Sequence, residues 1–279
     1  MSDPKVTTID FLKRNGYPFE MKVAKEFQKV GLSVAQSFVY TDSNTQLSRE
    51  IDVIALYRGV TAEQIVYDVW FIIECKYAKT PWVLFSSQTN RFMSSSLYSY
   101  NDDGKRWLEH LACKDEFNNF FVLDKNEGYG LTATSGKDEE KNREPNRNSG
   151  YDAIQKILSF LKSESAIALS PVGFAMFVPI IAMRGKLFKS KLDEDDEIDC
   201  EEIDEAQLYY KESINGVTPK IHIITENKLQ SYVKFLRVEC DKLIKAPFLN
   251  PTLRYKSFAE KMNEEYATKT WLPRTLSKG

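Results

Sequence analysis

Val69-Trp70-Phe71-Ile72-Ile73-Glu74-Cys75-Lys76 is an apolar run closed by an acid, a cysteine and a lysine. Read as a strand, it alternates side chains between two faces, so Glu74 and Lys76 point one way and Cys75 the other. Upstream, Arg49-Glu50-Ile51-Asp52-Val53-Ile54-Ala55-Leu56-Tyr57 is a second run rich in β-branched residues, with Asp52 inside it. Charged side chains are seldom buried unless paired or metal-bound, so an acid in such a strand needs a reason. On neighbouring strands, Asp52 and Glu74 can hold a hard divalent cation, with the Lys76 ammonium where an attacking water or a phosphate oxygen would sit. Two blander readings compete. The second run can begin just after Asp52, leaving the acid in a turn, and Glu74 to Lys76 can be the solvated end of an edge strand.

Glu-x-Lys also occurs at Glu20-Met21-Lys22, Glu139-Glu140-Lys141 and Glu226-Asn227-Lys228. The middle copy lies in a polar stretch, and the outer two sit at apparent helix starts, where positions i and i+2 do not share a face. Only the copy at 74 to 76 ends an apolar strand. Asn15-Gly16-Tyr17-Pro18 predicts a turn into a helix with Pro18 in its first turn. Phe19, Val23, Phe27 and Val30 recur at helical spacing and Gly31 ends the helix. Glu20 falls at the border of the apolar stripe and Glu26 on the far side. A charge that favours the helix dipole is an equally good reading of Glu20.

A helix carrying Glu20, a strand from about 33 to 41, a strand with Asp52, a strand ending in Glu74-x-Lys76 and a later amphipathic helix together resemble the PD-(D/E)xK, or restriction-endonuclease-like, nuclease superfamily. The spacing is most similar to its Mrr-like and Holliday-junction-resolvase-like branch, where a first-helix glutamate joins the site. The resemblance covers residues 16 to 77, with a weaker match near 150 to 180. It implies an α/β fold with a mixed central sheet flanked by helices. It also implies hydrolysis of nucleic acid, DNA before RNA, with Mg²⁺ as cofactor and Mn²⁺ as substitute, in prokaryotic defence or DNA repair. Asp52 and Glu74 match the family's metal-binding acids, Lys76 its lysine and Glu20 the helix acid at the metal. Ile51 stands where the family has proline. In related nucleases the helix after the lysine strand often supplies a polar residue over the metal, and Gln155 in the apolar-striped segment Gly150 to Leu161 is the candidate. A solvent-facing glutamine is the alternative.

On this reading the nuclease core is 1–185, interrupted by an insertion of about 80–149, and 186–279 is a C-terminal extension packed on the core. The insertion sets Trp82, Phe85, Phe92, Tyr98, Tyr100 and Trp107 beside Arg91, Lys105 and Arg106, and then runs from Phe117 to Leu123. Such a mixture can stack bases and meet phosphates, or it can simply be a packed subdomain. Its end, Ser135 to Asn148, is charged and polar. Phe174 to Met183 reads as a strand in which Pro179 predicts an edge or a bulge. Beyond it, Ile221 to Thr225 predicts a strand, and Leu229, Val233, Leu236 and Cys240 mark a helix from about Glu226 to Lys245. The last thirty residues mix Arg254, Lys256, Lys261, Lys269 and Arg274 with Tyr255, Tyr266 and Trp271.

With 38 Lys and Arg against 40 Asp and Glu in 279 residues, the formal charge is −2, so any phosphate-binding surface must be local. The acids concentrate between Asp193 and Glu205, which reads as a solvated loop or weak edge, or as a strip that mimics or repels nucleic acid. Cysteines at 75, 113, 200 and 240 lack paired spacing; with no signal peptide they point to reduced thiols and a cytoplasmic setting. His110 and His222 lie in no metal-binding repeat, no glycine-rich phosphate loop precedes a helix, and the longest apolar segment is too short to span a bilayer. The expected partner is therefore a nucleic acid, with a homodimer where both strands are cut, or a partner protein. The competing function is a catalytically silent module of the same fold that binds nucleic acid or a partner.

Overall fold

Helix α1 (Pro4–Arg14) precedes α2 (Tyr17–Lys29), whose N-cap Gly16 adopts the left-handed conformation at φ 84°. Pro18 sits in the first turn, where its missing N–H breaks no helical bond. Phe19, Val23, Ala24 and Phe27 form the buried face of α2, and Gly31 at φ 83° turns the chain into β1 (Ser33–Thr41). The computed structural model describes residues 3–14, 16–60, 66–86, 99, 105–106, 108, 121–123, 126–134, 149–169, 174–210 and 219–245.

β1 pairs antiparallel with β2 (Ser48–Val60), and β2 pairs antiparallel with β3 (Val66–Tyr77). The chain later enters α3 (Ser149–Leu161) and α4 (Glu164–Ala168), then returns as β7 (Phe174–Arg184), which runs parallel to β3 from Tyr67↔Phe174 to Tyr77↔Arg184. β11 (Lys220–Thr225) lies parallel to β7, β10 (Glu205–Tyr209) antiparallel to β11, and the two-residue β5 (Glu127–Gly128) parallel to β10. The result is a mixed α/β architecture around a seven-stranded sheet ordered β1-β2-β3-β7-β11-β10-β5. A parallel β3–β7 pair needs a crossover, and α3 supplies it.

Both faces of the sheet are covered, which is why β3 and β7 read as near-continuous apolar runs rather than as alternating ones. On one face α2 and α5 (Leu229–Leu243) pack against Val53, Phe71, Ile73, Val178 and Ile180. On the other, α3 packs through Ala153, Ile154, Ile157 and Phe160 against Ile54, Ile72, Phe177 and Ile181. Tyr40 fastens α3 to β1: its ring meets Phe160 edge-on at 5.2 Å, and its hydroxyl donates to the Lys156 carbonyl at 3.1 Å.

The segment expected as an insertion supplies β4 (Trp82–Phe85) and β6 (Gly130–Ala133). These form a four-stranded sheet, β6-β4-β8-β9, with β8 (Leu187–Leu192) and β9 (Ile198–Ile203). Trp82 and Leu84 are fully buried in the core on the α3 side, and Phe121 packs on Phe71 at 6.2 Å; at these positions packing accounts for the aromatics. Chain beyond residue 186 thus enters both sheets. Of the two readings of Pro179, an edge or a bulge, the edge is corrected: β7 is central, between β3 and β11. Pro179 stands one residue before the β11 register begins at Ile180↔His222, where an absent N–H interrupts the ladder least.

The acidic run is the turn and outer strand of the β8–β9 hairpin, with Lys191–Asp199, Lys189–Glu201 and Lys186–Glu202 paired across it. Arg91, Phe92, Tyr98, Tyr100, Trp107, Phe117 to Phe120, Ser135 to Asn148 and the C-terminal cluster Arg254 to Arg274 lie outside the described residues. Among the described residues no helix is long and apolar enough to cross a membrane.

Candidate active site

The β2–β3 ladder is regular from Val60↔Val66 to Val53↔Ile73 and then changes character. At the next step the Cys75 N–H donates to Asp52 Oδ2 at 2.7 Å, so a side-chain carboxylate accepts from the neighbouring strand. Across β2 from Asp52, Ser37 adopts φ 56° between the Gln36↔Val53 and Phe38↔Ile51 pairs. A non-glycine residue in that region is uncommon, and here it coincides with the gap in the β1–β2 register beside the acid.

Glu74 follows on β3 and is completely buried. Lys76 Nζ donates to Glu74 Oε1 at 2.6 Å. A second ammonium arrives from α3: Lys156 Nζ lies 3.0 Å from Asp52 Oδ1, 2.9 Å from Glu74 Oε1 and 2.7 Å from Glu74 Oε2. The Oε1 contact has hydrogen-bond geometry; the shorter Oε2 contact is an ion pair without it. Burial, and then the Asp52 charge, push the Glu74 carboxyl up to about 7, against the pull of both lysines. Burial pulls Lys156 down, but the charges of Glu74 and Asp52 prevail and raise it above the usual lysine value.

Glu20 reaches the same place from α2, on the opposite side of the sheet. A cavity of about 500 Å³ at the end of β3 is lined by Glu20, Asp52, Glu74, Lys76, Lys156 and Arg184, with Gly16, Tyr77 and Lys79 toward its rim. Burial, then Asp52 and Glu50, raise the Glu20 carboxyl. Arg184 is tied down by a bidentate pair with Glu226, at 2.6 and 2.8 Å.

Asp52, Glu74, Lys76 and Glu20 therefore line one cavity. The expectation for Gln155 is corrected. It does not line the cavity, and its Nε2 donates to the Tyr210 hydroxyl at 3.0 Å. Lys156 enters instead, because one residue turns a helix by about 100°. Lys156 stands three residues after Ala153 and four before Phe160, both fully buried, so its stem follows the apolar stripe and its ammonium emerges among the acids. A lysine inside an apolar helical stripe is the signal that could have found it.

Glu20 lines the cavity without closing on the other two acids: among the described residues no three His, Cys, Asp or Glu side chains converge tightly enough to hold a metal together. The fit to a cation rests on Asp52 and Glu74. A cationic centre, the Lys156 ammonium, already sits within 3.0 Å of oxygens from both, and anionic oxygens are the donor set of Mg²⁺. No family model, curated protein or solved structure matches the chain.

Proposed function

We propose that the chain is a metal-dependent nuclease of the PD-(D/E)xK type, hydrolysing phosphodiester bonds of DNA in preference to RNA. The observation that carries this reading is the pair of carboxylates from adjacent strands, Asp52 and Glu74, closed around one cationic centre with Lys76 beside it. Asp52 and Glu74 would hold Mg²⁺, or Mn²⁺ in its place, with Glu20 assisting at the edge. Such an ion, when bound, polarises the scissile phosphate and makes its water more acidic.

The chain's own groups supply the rest. Lys76 is held by Glu74 at the mouth of a cavity, where it orients the attacking water and offsets charge that builds on the phosphorane. Lys79 and the uncapped start of α2 favour an anion at the rim. Prokaryotic defence or DNA repair is the setting that suits such an activity.

The rival reading is a silent binding module, and one observation favours it: Lys156 and Lys76 together supply two positive charges to the two acids from the chain itself. Labelled DNA and RNA, single- and double-stranded, incubated with Mg²⁺, Mn²⁺ or chelator, separate the two. Metal-dependent products absent from Asp52→Asn support the nuclease. Binding without turnover under every metal condition supports the module.

A further inference from the structure

We propose that Lys156 is the resident counter-ion of the Asp52–Glu74 pair, displaced into the cavity when a divalent cation binds, so that metal binding creates a phosphate-binding ammonium. This rests on the metal site proposed above and adds a coupling to it.

Three observations carry the inference. First, Lys156 is the one cation among the described residues in contact with both acids; Lys76 touches Glu74 alone. Two carboxylates this deeply buried strongly disfavour being charged together without a counter-charge, and a single ammonium between them meets that need. Second, the position is exclusive. A magnesium or manganese ion bonded to the same oxygens at about 2.1 Å would occupy the space that Nζ now fills, and two cations at that separation repel strongly in a buried setting. Third, the displaced ammonium has somewhere to go. Its long, rotatable stem opens onto a cavity of about 500 Å³ that already contains Lys76 and Lys79.

The charge balance turns displacement into coupling. The lining residues comprise three acids, Glu20, Asp52 and Glu74, and four cations, Lys76, Lys79, Lys156 and Arg184. Lys76 and Lys156 are engaged with carboxylates and Arg184 with Glu226, which leaves Lys79 and the start of α2, both at the rim, to attract an anion. With a divalent ion on the acids, Lys156 is released and the cavity becomes markedly positive. A phosphate group held weakly at the rim is then drawn more strongly into the cavity. The protein would thus hold nucleic acid more tightly when it is able to cut it.

Calorimetric titration of Mn²⁺ into the wild-type chain, Lys156→Met and Lys79→Met tests the displacement without reference to cleavage. Lys156→Met is expected to bind Mn²⁺ at least about tenfold more tightly than wild type, a change of about 1.4 kcal/mol. Lys79→Met, which removes an equal charge from the rim, should change affinity by no more than about fivefold, the scale of an exposed ion pair. Inorganic sulfate, as a phosphate surrogate, should tighten Mn²⁺ binding to wild type and leave Lys156→Met unaffected. Melting curves with and without Mn²⁺ on Lys156→Gln, whose amide still donates to the acids, replace the titration where Lys156→Met folds poorly. Equal Mn²⁺ affinity in wild type and Lys156→Met overturns the inference and leaves the nuclease reading standing. Absence of Mn²⁺ binding in every variant removes both.

Discussion

Lys156 of α3 and Glu74 of β3, 82 residues apart in the chain, meet at 2.7 Å across the helix–sheet interface. The contact explains how an acid with no solvent exposure is tolerated at the end of a central strand. It also makes α3 part of the site as well as the crossover between two parallel strands. Around this pair, mutations are expected to separate by role.

Glu74→Gln and Asp52→Asn should each abolish metal-dependent cleavage, since an amide of the same shape removes the negative charge that holds the cation. Time courses with Mg²⁺ and with Mn²⁺ check this, beside melting curves showing that the variants fold. Full activity in either variant removes the site assignment.

Lys76→Ala should lower the cleavage rate by roughly a hundredfold or more, the scale of losing one preorganised transition-state donor, with little loss of substrate affinity. Single-turnover rates and a binding isotherm in Ca²⁺ distinguish the two effects. If affinity falls as steeply as rate, Lys76 is a phosphate anchor instead.

Glu20→Gln should slow cleavage while leaving the melting temperature unchanged or slightly higher. As a helix-start charge Glu20 would contribute only about 0.3–1 kcal/mol, and its raised carboxyl pKa, caused by burial and then by Asp52 and Glu50, means that ionising it costs the fold something at neutral pH. Glu26→Gln on the same helix, whose partner is Lys29 at the surface, is the control. Equal rates in the two variants return Glu20 to a surface role.

Gln155→Ala should lose the Tyr210 bond, about 0.5–1.5 kcal/mol of stability, and cleave at the wild-type rate. A rate loss larger than its loss of stability explains would bring Gln155 back to the site.

Stability should depend on pH through two buried groups of opposite sign. Burial, then Asp52, lift Glu74 from 4.5 to about 7, so the native state keeps this proton longer than the unfolded chain does. Its contribution therefore falls as pH rises from 4.5 to about 7. Burial, then Lys220, lower His222 from 6.5 to about 3. There the unfolded chain takes the proton first, and stability rises with pH over that window. The two effects oppose each other between 4.5 and 6.5. Glu74→Gln removes only the first, so its melting temperature should climb more steeply with pH there than that of wild type. Parallel curves would mean that Glu74 is ionised throughout.

The strands are legible in the residue pattern because their cause is local. β-branched and aromatic runs ended by polar turns indicate β2 and β3, and acids set in or at the end of such apolar runs make Asp52 and Glu74 stand out. Glycine and proline around α2 are equally readable, since Gly16 and Gly31 sit where the backbone needs a positive φ. The layer order is decided by long-range packing. Pro179 predicts an edge or a bulge from its missing N–H, yet β7 is central, because burying both its faces outweighs one absent donor. Lys156 escapes a sequence reading for a related reason. The apolar stripe of α3 shows that Lys156 lies nearer the buried face than Gln155, but which strands and which acids that face meets is set by how the helix docks on the sheet. Composition and strand pattern thus determined which acids would sit together. Only the docking of α3 decided which cation stands between them.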